Sequence, residues 1–360
     1  MKIVITGNMG YVGPAVVNQL RIAFPRAILA GFDMGYFASH LTNATVLPES
    51  KLDAQYFGDV RNFDSQILLN ADVVVHLAAI SNDPMGSRFE EVTLDVNHQA
   101  SINIAKMAKA SGVRSFVFAS SCSIYGAGDD RDKLETSELN PLTAYARSKV
   151  HTERDLMPLA DENFTVTCLR FATACGMSDR LRLDLVLNDF VASAVAVGKV
   201  QILSNGSPWR PLIHVKDMAR AIEWAVGRKA SEGGTFLAVN TGSNQWNYQV
   251  KELAQAVAKA IPGTEVSLND AAPPDKRSYR VNFDLFKSLA PHYQPVYDLD
   301  QTINELREAL LSMQFTNKDF RNSSFMRMQI LSLLQESGNI NDRLEWTHQT
   351  WKTSTLTMTA

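Results

Sequence analysis

The stretch Lys2-Ile3-Val4-Ile5-Thr6-Gly7-Asn8-Met9-Gly10-Tyr11-Val12-Gly13 decides how this chain is read. A short run rich in β-branched residues ends at a glycine, and glycines at G-x-x-G-x-x-G spacing open an amphipathic stretch over 12–24. The pattern predicts strand, tight turn and helix. Gly7 permits the turn, Gly10 lets backbone approach a pyrophosphate, and Gly13 allows close helix–strand packing. The positive helix terminus suits phosphates, so Met9, Tyr11 and Val12 join the glycines as candidate cofactor contacts. Asp33 lies 20 residues after Gly13, at the end of the next predicted strand. A carboxylate there accepts hydrogen bonds from a ribose diol and repels a 2′-phosphate. No Lys or Arg occurs between Asp33 and Lys51, so the cofactor expected is NAD rather than NADP.

Outward from this stretch, strands are expected at 2–6, 27–33, 54–58, 72–78, 115–120 and 165–171. Helices are expected over 12–24, 89–111 and 141–160, with Pro141 in a first turn. Alternation of this kind predicts an α/β fold with a doubly wound parallel sheet of Rossmann type. A looser pattern follows, with helices at 183–197, 215–226, 246–261 and 299–313, a strand at 199–203, and a return to the main sheet at 235–239. The expected organisation is a dinucleotide-binding domain over 1–175, with returning segments near 210–245. A smaller mixed α/β C-terminal substrate domain follows over 176–347, then a frayed tail at 348–360.

Composition removes other classes. With 360 residues, 45% hydrophobic and 20% charged, the chain has ample material for a core and is not of disordered or fibrous type. Lys and Arg total 35 against 38 acidic residues, a balance unlike that of an electrostatic nucleic-acid binder. Cys122, Cys168 and Cys175 form neither a disulfide framework nor a zinc motif, and no metal is expected. The absence of a signal-peptide pattern or membrane-length apolar run predicts a soluble, cytoplasmic protein. His76 and His214 read as structural residues.

A second motif, Tyr145-Ala146-Arg147-Ser148-Lys149, places a phenol and an amine one helical turn apart. The lysine charge can lower the phenol pKa and make it a general base. The preceding strand ends in Ser120-Ser121, which sets Ser121 on the same rim. With the glycine turn, these residues resemble the extended short-chain dehydrogenase/reductases of the nucleotide-sugar epimerase/dehydratase group. The likeness continues through Gly58-Asp59-Val60, His76-Leu77-Ala78-Ala79, Asn97, Ser120-Ser121-Cys122-Ser123-Ile124-Tyr125-Gly126, Leu169-Arg170-Phe171, Asn205-Gly206, Arg210 and His214-Val215-Lys216-Asp217. It spans about residues 1–310.

This resemblance implies roles. Asp59 and Val60 flank the adenine, and Leu77, Ala78 and Ala79 line the cofactor groove, with Ser120 and Phe171 beside it. Asn97 braces the active-site helix. Ser121 hydrogen-bonds the sugar hydroxyl, Tyr145 is the base, Lys149 also holds the nicotinamide ribose, and Ser123 joins them as a catalytic candidate. Arg210 resembles the diphosphate-binding arginine, a role that suits a guanidinium. Cys122, Thr173, Arg182, Asn188 and Arg277 are further candidate contacts to a nucleotide-diphosphate sugar, with Arg280 an alternative to Arg277.

The turn after Ser121 separates the reactions of the group. Dehydratases resemble an Asp-Glu pair there, and uronic-sugar decarboxylases keep a glutamate, whereas this chain has Cys122-Ser123. The reading is therefore C4 epimerisation through a transient 4-keto sugar. Alternatives are C3/C5 epimerisation using Cys122, or a net oxidoreductase. Cys122, however, stands three residues before Tyr125 rather than two, and strand alternation points it to the core. A catalytically silent NAD- or sugar-sensing protein fits poorly with an intact Ser121, Tyr145 and Lys149. Departures include Thr173, where many relatives have asparagine, and Ala271-Ala272-Pro273-Pro274-Asp275-Lys276-Arg277 in place of an Arg-Pro-Gly segment. Arg180 and Arg182 are read either as phosphate ligands or as solvated side chains. The apolar residues of 317–346 are expected to form core or dimer contacts rather than a lid. A homodimer through 89–111 and 141–160 is expected.

Overall fold

The computed structural model describes residues 1–347 apart from 82, 128–130, 270 and 272–276. The expected tail at 348–360 and most of the 271–277 loop, Lys276 included, lie outside the described residues. The strands are β1 Lys2–Thr6, β2 Ile28–Asp33, β3 Ala54–Phe57, β4 Val73–His76, β5 Ser115–Ser121, β6 Thr165–Phe171, β7 Thr173–Cys175, β8 Lys199–Ile202, β9 Trp209–His214, β10 Phe236–Thr241, β11 Asn247–Gln249 and β12 Glu265–Leu268.

A parallel sheet runs in the order β3-β2-β1-β4-β5-β6-β10. Its central strands are buried on both faces, which is why their sequences are apolar without alternation. Ile3, Ile5, Val75 and Val117 face the helices Gly13–Ala23 and Val215–Gly227. Val4, Val74 and Phe116 face the helix Ala100–Ala110 on the other side. Winding reverses between β1 and β4, so their C-terminal ends bound the crevice at a topological switch point. His76 ends β4 inside this core. Its ring nitrogens bond Thr6 Oγ1 and Ser101 Oγ at 2.7 Å each, and burial pulls its pKa down to about 3.

The remaining strands build two small sheets, β11-β9-β7 and β12-β8. The helices Val186–Val197, Val250–Ala260 and Leu299–Ser312 pack with them around Leu187, Val191, Leu253 and Ile303. His214 bonds Glu305 at 2.7 Å and stacks on Tyr297.

Local expectations fail in three places. The helix expected over 89–111 is broken into Glu90–Leu94, a wide π turn at Asp95–Gln99, and Ala100–Ala110. The turn sets Asn97 to bond both the N–H and the C=O of Ile80, and also Ser148 Oγ. The helix expected over 141–160 is Ala144–Leu156. Thr143 caps it by accepting from Ala146 N, leaving Pro141 outside, and Pro158 cannot extend it. The start of the helix expected over 246–261 is instead β11, which pairs with β9; Glu252 then accepts from Gln249 N to begin the helix at Val250.

Residues 320–347 fold back onto their own chain. Leu331, Ile340 and Leu344 pack with Ile80, Met85 and Phe89. Trp346 packs at a tilt against Tyr36 and donates from Nε1 to Met34 O, and Arg343 pairs with Asp95. No helix among the described residues is long and apolar enough to cross a membrane.

Candidate active site

The C-terminal ends of β1, β2, β4, β5 and β6 open into a cavity of about 1030 Å³. Of the residues singled out in the sequence, Gly7, Gly10, Tyr11, Val12, Asp33, Asp59, Val60, Leu77, Ala78, Ala79, Ser120, Phe171 and Lys149 line it. So do Ser121, Ser123, Tyr145, Thr173, Arg182, Arg210 and Arg277.

The glycine turn fits a dinucleotide for steric reasons. Gly7 has φ +75°, and a Cβ there would stand 2.5 Å from Ala78 N; at Gly13 it would meet Asn8 O at 1.9 Å. Backbone therefore packs against backbone, leaving room along the rim for a phosphate chain. Asp33 accepts from Met9 N at 2.9 Å and Gly35 N at 2.8 Å, which orients its carboxylate; burial raises its pKa. Asp59 is engaged by the Arg61 guanidinium.

At the catalytic end, Ser121 closes β5 and its Oγ accepts from Ser123 N at 3.1 Å. Ser123 Oγ is buried with no hydrogen-bond partner among the described residues, a hydroxyl left for a ligand. One helical turn from Tyr145, Lys149 is 2% exposed and donates from Nζ to Ala119 O at 2.7 Å. Its Nζ lies 5.5 Å from the Tyr145 ring centroid and 4.6 Å from that of Phe118. Burial lowers the Lys149 pKa to about 7, with Glu153 opposing the shift.

That depression has a measurable consequence. A free lysine titrates near pH 10.4. Between about pH 7 and pH 10 the unfolded chain therefore binds more protons than the folded one at this site, and stability rises with pH. Lys149→Met should flatten this rise in denaturant titrations across that window. Parallel pH slopes for the two proteins would refute it.

Several sequence assignments are corrected. Met9 does not line the cavity; its backbone orients Asp33 and its side chain is buried. Gly13 packs on the Asn8 backbone and Asn97 ties the segment after β4 to the helix carrying Tyr145, the packing and bracing roles expected of them, but neither lines the cavity as a direct cofactor contact would. Cys122 turns into the core, donates to Arg170 O, and has its thiol pKa raised by burial. Asn188 is fully buried and its amide is consumed by Gly176 N, Tyr11 Oη and Arg182 O. Neither arginine of the 177–184 segment is solvated. Arg180 pairs with Glu49, while Arg182 pairs with Asp184 and donates to Ser81 Oγ. Arg280 pairs with Asp132 over the Trp209 ring, whereas Arg277 lines the cavity. Sequence reasoning missed Tyr36, Phe37, Arg61, Arg327 and Leu344, which also line it. For the last two the only signal was an amphipathic C-terminal pattern, which says nothing of the surface it covers.

Comparison with known proteins agrees with this geometry. The family model described as NAD dependent epimerase/dehydratase family matches residues 3–242. A Bacillus subtilis (strain 168) relative named "Uncharacterized UDP-glucose epimerase YtcB" is 26% identical over 318 residues, covering 85% of this chain and 97% of its own. A Pisum sativum UDP-glucose 4-epimerase is 26% identical over 300 residues, covering 74% and 83%. The solved structure of TunA, described as an NAD-dependent NDP-hexosamine 5,6-dehydratase, superposes with a TM-score of 0.74 at 21% identity. It covers 88% of this chain and 99% of its own. The glycine turn, the held Asp33 and the Ser121/Tyr145/Lys149 cluster thus stand on a matched framework two thirds of the chain long, and the chain belongs to the NAD-dependent epimerase/dehydratase family.

Proposed function

We propose that this protein is a nucleotide-sugar 4-epimerase. One observation carries the reading: the turn beside Tyr145 presents the Ser121 and Ser123 hydroxyls to the cavity, buries Cys122 beneath them, and offers no carboxylate. Loss of water across C5–C6 needs an acid–base pair, and 4-epimerisation does not. The names of the Bacillus and pea relatives support the same choice.

Bound NAD supplies the hydride acceptor and, after the sugar turns, the donor. Tyr145 takes the proton of the 4-hydroxyl and later returns it. Ser121 Oγ hydrogen-bonds the same oxygen, and Lys149 holds positive charge beside the phenol. Arg210 on β9, with Arg277, Arg182 and Thr173, grips the nucleotide diphosphate. Arg210 is steadied by the Trp209 and Arg277 carbonyls. The homodimer contact we propose runs through residues 89–111 and 141–160, which hold the helices Glu90–Leu94, Ala100–Ala110 and Ala144–Leu156.

The test is proton NMR of nucleotide sugars incubated in D2O with protein carrying only its own cofactor. Inversion at C4 with no deuterium uptake is expected. Deuterium at C3 or C5 would overturn the reading in favour of carbanion chemistry and turn attention to the unpartnered Ser123 hydroxyl.

A further inference from the structure

We propose that Arg327, contributed by the C-terminal segment, is a ligand for the diphosphate of the bound dinucleotide. The inference rests on NAD as cofactor. It adds a residue outside the 3–242 stretch that the family model matches.

Arg327 lines the cavity yet is only 2% exposed. Its Nη2 donates to Arg180 O at 2.9 Å, and its guanidinium carbon lies 4.1 Å from the Phe37 ring centroid. Its Nη1 has no hydrogen-bond partner among the described residues. Neighbouring Arg180 and Arg182 each have a carboxylate, Glu49 and Asp184, whereas Arg327 makes no ion pair among the described residues. Burial, reinforced by Arg182 and Arg180 and opposed by the Asp184 and Asp33 carboxylates, holds its pKa down to about 9. A buried cation with an idle donor is costly to keep, and an anion arriving in the cavity relieves that cost.

Position identifies the anion. The 176–182 segment that anchors Arg327 is stitched to the glycine turn. Ser178 Oγ donates to Tyr11 O and Tyr11 Oη donates to Gly176 O, each at 2.6 Å. Phe37, under the guanidinium, follows Asp33 by four residues. The contacts of Arg327 thus lead on one side, through 176–182, to the glycine turn, which receives the pyrophosphate, and on the other, through Phe37, to the loop after the carboxylate that receives the ribose. The nucleotide sugar also carries a diphosphate, so the experiment must separate the two sources.

Cofactor-stripped wild type, Arg327→Met and Arg327→Lys would be titrated calorimetrically with ADP-ribose, adenosine and UDP-glucose. Arg327→Met should weaken ADP-ribose by about tenfold to a hundredfold, the range for a lost charge-assisted hydrogen bond. Arg327→Lys should recover part of this. Adenosine affinity should stay within about twofold, and the stripped Arg327→Met protein should melt no lower than wild type. Unchanged ADP-ribose affinity overturns the assignment, and a loss confined to UDP-glucose moves the guanidinium to the substrate. If wild type itself fails to bind ADP-ribose, the proposal falls together with the cofactor assignment. If Arg327→Met does not fold, amide exchange of wild type decides. ADP-ribose, but not adenosine, should slow exchange over 323–336, and equal effects overturn the proposal.

Discussion

Tyr145→Phe should lower kcat at least about a hundredfold, the scale of a lost general base. The substitution removes one oxygen and keeps the ring that packs beside Lys149. Ser121 and Ser123 cannot replace the phenol, because an alkyl hydroxyl is a far weaker acid than a phenol. When protonated, the Lys149 amine favours the phenolate of a group whose ordinary pKa is near 10. The helix Ala144–Leu156 is anchored by the Thr143 cap, by Asn97 on Ser148 and by Glu153 on Arg170, so the fold should be kept. Steady-state rates with the best nucleotide sugar from the NMR panel, alongside urea midpoints, make the comparison. Activity within about threefold of wild type would remove Tyr145 from the mechanism, whatever the cavity contains.

The largest stability effect is expected at Glu153. Its carboxylate receives Arg170 Nε and Nη2 and Ser120 Oγ, all within 3.1 Å, and both charged side chains are under a tenth exposed. Arg170 also donates to Tyr125 Oη, which in turn donates to Asn240. One network therefore ties β5, β6 and β10 to the helix that carries Tyr145 and Lys149. Glu153→Ala leaves a buried guanidinium without its carboxylate and should cost about 3–5 kcal/mol. Urea unfolding monitored by circular dichroism would measure it. Pairing Glu153→Leu with Arg170→Met should recover most of the loss, because both charges then leave the interior together. A single variant as stable as wild type would mean that the network is ornamental.

The sheet was readable because parallel strands announce themselves as apolar runs at βα spacing, and every predicted main-sheet strand has an observed counterpart. The site was readable where function rests on local spacing, as at Gly7 to Gly13 and Tyr145 to Lys149. It failed where a residue's use depends on distant partners. Asn188 looked like a free amide on a helix until Tyr11, Gly176 and Arg182 claimed it. The break at Asp95–Gln99 serves the Ile80 peptide, which no helical periodicity can foresee. Nothing in the sequence singles out Arg327, which opens the helix Arg327–Glu336. Only the fold reveals that it is enclosed.

The fold-back of the C-terminal segment also sets an order of events. Tyr36 donates to Leu344 O across 308 positions of chain, and Leu344 is part of the cavity wall. At about 5–20 residues per second on a ribosome, that wall emerges about 15–60 s after the Tyr36 turn to which it bonds. During that interval the nascent chain offers half a cradle, with the glycine turn made and its cover still unsynthesised. A chain stalled short of Leu344 would carry the sheet without that part of the wall.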